Sequence, residues 1–280
     1  MSHPLLDRNV IDQDIEQYLR SAGDIFTEFG DLTRDSGNIS YGLRIGEQRF
    51  FVKTAGHPDD PKPMLNHADR VALLRNAIQR NRAVNYSALP KLNNVIESPA
   101  GPLLVYEWME GELPGTPAKY REDSACAFQR FRRLPTSTIL KFLDSIFELH
   151  ERIAEAGWIA LDFYDGCLIY NFLPDNLIVM DLDMYRQGPF HNEIGRMFGS
   201  TRFMAPEEFE LGALIDQQTN VFTMGRTALV FLSDGTLNSD AFSGSRSLFE
   251  VIARACDPDR SQRYESLAAF CRAWQDARFL

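Results

Sequence analysis

The sequence lacks the marks of several large classes of protein. Its four cysteines, at 126, 167, 256 and 271, form no Cys-x-x-Cys pair, so neither a zinc knuckle nor a disulfide framework is expected and the thiols read as reduced. The five histidines, at 3, 57, 67, 150 and 191, show no metal-ligand spacing. No apolar run approaches the roughly 18 residues of a membrane span. The opening Met-Ser-His-Pro-Leu-Leu-Asp-Arg is no secretory signal, and the expected compartment is the cytoplasm. Positive charge is scarce: 29 Lys and Arg against 39 Asp and Glu leave a net charge of -10, which argues against nucleic acid or an anionic membrane as the main partner. There is no internal repeat and no low-complexity tract. What remains is 280 residues, 44% hydrophobic, enough for one soluble domain of two lobes or for two small domains.

Along the chain, residues 1–28 carry Val10, Ile11, Ile15, Tyr18 and Leu19 at roughly helical spacing, which predicts a helical lead-in. Residues 29–109 read as a small antiparallel sheet with one helix. Ile39, Tyr41 and Leu43 alternate, Asp35-Ser36-Gly37-Asn38 and Gly46-Glu47-Gln48 make turns, and Arg49 to Lys53 forms the returning strand. Lys53 ends an apolar run, as an edge residue leaning into solvent or as a phosphate ligand. A loop with three prolines spans 56–66. Ala68, Val71, Ala72, Leu74, Ala77 and Ile78 then mark a helix whose only acid is Asp69, and strands follow at Leu89 to Ile96 and Leu103 to Trp108. Glycine and proline in Met109 to Gly115 place a boundary there.

Residues 110–280 read as mainly helical. Lys119, Arg121, Arg130, Arg132 and Arg133 form either a solvated helix face or a docking patch for an acidic substrate. A strong helix begins at Pro135 and ends by Gly157, with Ile139, Phe142, Leu143, Ile146, Phe147, His150 and Ile153 on one stripe, so His150 reads as core packing. An apolar helix at about Thr219 to Leu232 and amphipathic ones at Ser247 to Ala255 and Glu265 to Ala277 follow. Between them lies the stretch Trp158 to Asp183. Asp162 opens a turn, an apolar strand runs from Cys167 to Phe172, a Pro-Asp-Asn turn intervenes, and a second strand, Leu177 to Met180, ends on Asp181. Carboxylates at the ends of buried strands are costly unless paired or put to work.

This order of elements, together with Gly199-Ser-Thr-Arg-Phe-Met-Ala-Pro-Glu207, resembles the protein kinase superfamily from about Phe29 onward. The resemblance implies an α+β, bilobal kinase-like fold and ATP- and Mg²⁺-dependent phosphoryl transfer to Ser or Thr of a protein substrate. It assigns Lys53 to the α- and β-phosphates with Asp69 orienting it, Gly37 to the phosphate loop, and the backbone of Glu107 and Met109 to the adenine edge. Asp162 would take the proton of the acceptor hydroxyl, Asp181 would hold magnesium with Asp183 and Asp165 as further candidates, and Ser200 would bond the catalytic aspartate. Arg263 would pair with Glu207.

The sequence departs from the family pattern in four places. Ala160-Leu161-Asp162 stands for His-Arg-Asp, Cys167 for a magnesium-binding asparagine, Asn220 for a buried aspartate, and the glycine-rich loop is reduced to Gly37 and Gly42. Thiols are poor ligands for a hard cation. The alternatives are therefore a pseudokinase that binds partners without transfer, or a small-molecule kinase of the same fold, which the short loop and Asp181-Leu182-Asp183 favour. The strand-Asp-x-Asp pattern at Leu177 to Asp183 also resembles the haloacid-dehalogenase-like phosphatases, without the parallel βαβ pattern that class requires.

Overall fold

The computed structural model of the protein describes residues 2–30, 37–60 and 65–279. Asp35 and Ser36 of the first expected turn, and Pro61 and Pro63 of the proline-rich loop, lie outside the described residues. The chain is α+β and divides into two compact units, Met1–Met109 and Glu110–Leu280. The division falls where glycine and proline interrupt the strand pattern. No described helix is long and apolar enough to cross a membrane.

The first unit holds α1 (Ile15–Ala22), β1 (Asp24–Phe29), β2 (Ile39–Ile45), β3 (Gln48–Thr54), α2 (His67–Ala83), β4 (Leu92–Ile96) and β5 (Leu103–Glu107). The strands make one antiparallel sheet in the order β1-β2-β3-β5-β4. Alternation along β3 explains its two faces. Phe50 and Val52 join Leu43, Val105 and the α1 residues Ile15 and Leu19 in one core cluster. Phe51 packs with Leu104, Tyr106 and the α2 residues Leu74, Ala77 and Ile78 in another.

One expectation changes here. The first 28 residues are no separate lead-in: Leu5, Ile11, Ile15 and Leu19 cover one face of the sheet, and the strand β1 already begins at Asp24. Burying those apolar side chains, at about 1.5–3 kcal/mol each, ties the segment to the sheet. The helix expected of the lead-in is α1, ending at Gly23, and it lies on the face of the sheet opposite α2, the one helix expected of residues 29–109.

The second unit contains α3 (Ala127–Arg132), α4 (Thr136–Glu155), β6 (Trp158–Ile159), β7 (Leu168–Asn171), β8 (Asn176–Val179), β9 (Arg186–Gln187), β10 (Phe190–His191), β11 (Leu214–Ile215), α5 (Gln217–Leu232), α6 (Arg246–Ala255) and α7 (Leu267–Arg278). Helix α4 starts after Pro135 and stops before Gly157, whose φ of 81° a glycine tolerates. Its stripe packs on α7, with Phe147 against Phe270 and Trp274 at ring separations of 5.0 Å. Ladders between named strands are all antiparallel pairs, β7 with β8 among them, which removes the basis for the phosphatase alternative.

The pair foreseen between Glu207 and Arg263 is present and buried, with Nη1 to Oε1 at 2.7 Å and Nη2 to Oε2 at 3.1 Å. Arg263 also donates to the carbonyls of Asp257, Gln218 and Pro258. Burial pushes the Glu207 carboxyl up, but hydrogen bonds, chiefly from Arg263, outweigh it and hold the carboxyl below its ordinary range. Arg263→Met strands that carboxylate in the core and is expected to cost roughly 3–5 kcal/mol in urea unfolding. A loss under about 1 kcal/mol would show that the pair does not anchor the segment.

Candidate active site

Two hydrogen bonds fix the turn that carries Asp162. The Ala160 amide donates to Oδ1 of Asn220, and Nδ2 of Asn220 donates back to the Ala160 carbonyl, both at 2.8 Å, from a side chain buried in α5. An amide supplies acceptor and donor together, which a carboxylate cannot. Beyond this bracket Asp162 is half-buried with φ 56°, a left-handed conformation uncommon outside glycine. Phe163 packs edge-on against His150, ring centroids 4.5 Å apart.

His150 joins that turn to the segment after β8. Its Nδ1 lies 2.7 Å from the Ile146 carbonyl and its Nε2 2.7 Å from the Tyr185 hydroxyl. A carbonyl only accepts, so Nδ1 carries the proton and Nε2 accepts from Tyr185. Burial pushes the imidazole down to about 4, against which its bond to the Ile146 carbonyl acts only weakly, so it is neutral at pH 7.

Strands β7 and β8 pair from Leu168↔Val179 to Asn171↔Asn176, and the Met180 amide donates to the Cys167 carbonyl at 2.8 Å. That ladder brings the end of β8, and hence Asp181, beside the turn Asp165–Cys167. Asp181 is exposed and, with φ 57°, is left-handed like Asp162. Asp183 is buried. The Cys167 thiol donates to the Asp162 carbonyl at 3.3 Å; burial, then the charges of Asp181 and Asp162, push it well above its ordinary range. It is a neutral structural donor, unsuited to a metal ion. Asp165 meets Arg202 at 2.7 Å, and burial raises its carboxyl despite that guanidinium. As a metal ligand Asp165 is thus corrected to one half of an ion pair.

The segment Gly199–Glu207 closes over the Asp162 turn. A small cavity of about 10 Å³, room for one water, is lined by Asp162, Gly199, Met204, Glu208 and Thr223 among others. Ser200, expected to bond the catalytic aspartate, uses its carbonyl instead, accepting from the amides of Phe203 (2.9 Å) and Met204 (3.3 Å), and its hydroxyl makes no bond to Asp162. Glu208, which sequence reading overlooked, accepts from the Ala205 amide at 2.6 Å. Burial, with the charges of Glu207 and Asp162 adding to it, raises Glu208 to about 8, so it is a neutral acid at pH 7.

In the first unit Lys53 lies on β3, third in a five-stranded sheet, opposite Ser40 and Leu104. An edge position is excluded, and the side chain is half-buried on the face shared with Phe51. Asp69, its expected partner, is exposed in the first turn of α2 and forms no ion pair with it. The residue turned inward there is Arg70. Gly37 has φ 85°. Gly42 is a packing glycine: a Cβ there would lie 2.5 Å from Thr27 and 2.7 Å from Phe26. Glu107 ends β5 with its amide given to the Lys91 carbonyl, and Met109 closes the unit.

The basic patch is likewise spent on structure. Arg130 pairs with Glu112 and lies over Phe172, while Arg121, Arg132 and Arg133 donate to the carbonyls of Thr116, Ser233 and Ser124. The overlooked residues had one legible signal each. Arg70 stands on the stripe 70-74-77-78 of α2, and Glu208 three residues past Ala205 marks a helical first turn. Among the described residues no group of three His, Cys, Asp or Glu stands together for a metal. No family model matches the chain, and no curated protein matches it at a significant level.

Two measurements test this geometry. Asn220→Asp loses the donor to the Ala160 carbonyl and sets a buried carboxylate against it, an expected cost of at least about 2 kcal/mol in chemical denaturation; an unchanged midpoint would refute the bracket. For Glu208, whose carboxyl is raised from 4.5 to about 8, the folded state holds the extra proton, so stability is lost as pH rises through that window. His150, lowered from 6.5 to about 4, acts oppositely and loses stability as pH falls below 6.5. Glu208→Gln keeps the acceptor for Ala205, so its stability relative to wild type is expected to climb by about 1.4 kcal/mol per pH unit between 4.5 and 8. A flat difference would mean that Glu208 is ionised.

Proposed function

We propose that the chain is an ATP- and magnesium-dependent phosphotransferase of two-lobed, protein-kinase-like architecture that acts on Ser or Thr hydroxyls of a protein. One observation carries the reading. Asp162 and Asp181 both hold left-handed backbone, φ 56° and 57°, at one end of the β7–β8 hairpin, with charges that both bear on Cys167. Non-glycine residues in that region are costly and cluster at working sites. The third such residue, Asp175, sits in the turn between the two strands.

In this reading the acceptor oxygen bonds to the γ-phosphorus as the bond from phosphorus to the β,γ-bridging oxygen breaks. The hydroxyl proton passes to the Asp162 carboxylate, and ADP leaves with the bond's electron pair. Lys53 neutralises phosphate charge, and backbone groups of Glu107 and Met109 orient the adenine. Magnesium, when bound, supplies further charge neutralisation on the phosphates. The donor set suits it in part: Asp181 offers an exposed hard oxygen and Asp183 lies two residues on, and magnesium asks few ligands of a protein. Cys167 and Asp165 do not join them.

That last fact favours a second reading, a pseudokinase that binds nucleotide or partners without transfer. Incubation with Mg-ATP and a panel of Ser/Thr peptides, sugars and aminoglycosides separates the cases. Label on peptides, a fall of about a hundredfold or more in kcat for Asp162→Asn with ATP affinity kept, and loss of Mg-dependent binding in Asp181→Asn are expected. Binding without transfer supports the pseudokinase, label on small molecules alone moves the substrate class, and absence of both binding and transfer sinks the nucleotide reading.

A further inference from the structure

The first unit encloses a cation among backbone carbonyls. Arg70, in the first turns of α2, is fully buried. Its Nη1 donates to the carbonyls of Gly37 (2.9 Å) and Ala55 (2.6 Å), its Nη2 to that of His57 (3.1 Å), and its Nε has no partner. Among the described residues its hydrogen bonds go to carbonyls, and the charge of Asp60 also acts on it. Burial lowers its pKa, yet a guanidinium stays protonated over any ordinary pH range. Enclosing a charge in this way is expensive and demands a return.

The three carbonyls belong to the two segments that flank one end of the β2–β3 ladder. Gly37 precedes β2, while Ala55 and His57 follow β3. The ladder itself pairs Ile39 with Thr54 and Ser40 with Lys53, and the Thr54 hydroxyl donates to the Ile39 carbonyl at 2.8 Å. Gly56, at φ 70°, completes the knot: a Cβ there would stand 2.4 Å from the Gly37 oxygen and 2.8 Å from Nη1 of Arg70. A trans peptide points its carbonyl and its N–H in opposite directions. Drawing the Gly37 oxygen onto the guanidinium therefore fixes the plane of the Gly37–Asn38 peptide, which ends two residues before Ser40, the partner of Lys53.

We propose that Arg70 is the positioning residue for polyphosphate binding in this unit: it fixes the Gly37 end of the connection into β2 beside the strand of Lys53. One guanidinium gripping backbone does the work that a run of glycines does in a glycine-rich phosphate loop. The proposal rests on the nucleotide reading given above and adds to it the group that organises the phosphate side. It also accounts for how α2 is fastened to the sheet while Asp69 is exposed: the hold runs through carbonyls.

The test is a ratio of affinities in the full-length protein, ATP against adenosine, by calorimetry. Arg70→Met and Arg70→Lys remove the fork, since an ammonium cannot span three carbonyls as a planar guanidinium does. Gly56→Ala disturbs the same knot while keeping Arg70. Each is expected to weaken ATP by about tenfold or more and adenosine by less than about twofold. Wild-type affinity for both ligands, or an equal loss of both, would overturn the proposal by making Arg70 a structural residue only. Should Arg70→Met fail to fold, Arg70→Lys and Gly56→Ala decide the matter. Failure of the wild type to bind either ligand is distinguishable, because it removes the nucleotide reading and the proposal with it.

Discussion

Helix α5 is buried along most of its length, with Asn220 fully shielded and Gln218 and Arg226 half-buried. Buried polar groups must find partners within the protein, and several groups of α5 find them in the loops around Asp162. Asn220 brackets Ala160, Arg226 donates to the Arg202 carbonyl at 2.8 Å, and the Gln218 carbonyl receives Arg263. The same helix thus sets the turn of Asp162, the position of Arg202 and, through Arg263, the hold on Glu207. Loosening any one of these leaves the loops to their apolar contacts alone, Leu161 with Met197 and Met204.

The acidic side chains of this unit divide by what their surroundings do to them. Asp165 and Glu207 are held by guanidinium groups, and Glu208 avoids the cost of a buried charge by keeping its proton. Asp162 and Asp181 share with Asp175, in the turn between β7 and β8, a left-handed backbone. Ion pairing and neutralisation are the two ordinary ways to bury a carboxyl. A carboxylate that uses an uncommon φ to reach its place is better explained by what it faces than by what it stabilises.

Much of the fold was legible because hydrophobic period is a local property. The α4 stripe, the β2–β3 hairpin, the break at Met109 and the pairing of Glu207 with Arg263 all followed from spacing or motif. What escaped depended on which residue turns inward at a helix start. Asp69 and Arg70 are neighbours, and a shift of one position moves a side chain by about 100° around the axis, enough to exchange the exposed for the buried role. Lead-in residues 1–28 were misjudged for a similar reason: amphipathic spacing shows that a face will be covered, not that the cover is the sheet. Asp165, a metal candidate, and Ser200, expected to bond the catalytic aspartate, instead meet Arg202 and the amides of Phe203 and Met204, contacts of the segment's own local folding.

The departures from the kinase-like pattern share one physical feature. Asp69, the acid which that pattern would set against Lys53, is exposed, and its neighbour Arg70 grips the carbonyls of Gly37, Ala55 and His57. Where the pattern has an aspartate, Asn220 binds both polar atoms of the Ala160 backbone, and where it has an asparagine, Cys167 donates to the Asp162 carbonyl. Side chain–side chain pairs depend on two residue identities, whereas bonds to the main chain depend on one, because every residue offers a carbonyl. Contacts of this kind hold a loop in place whatever residue supplies the carbonyl. That makes Cys167, neutral and buried, a fastening of the Asp162 turn rather than a vacancy left in a metal site.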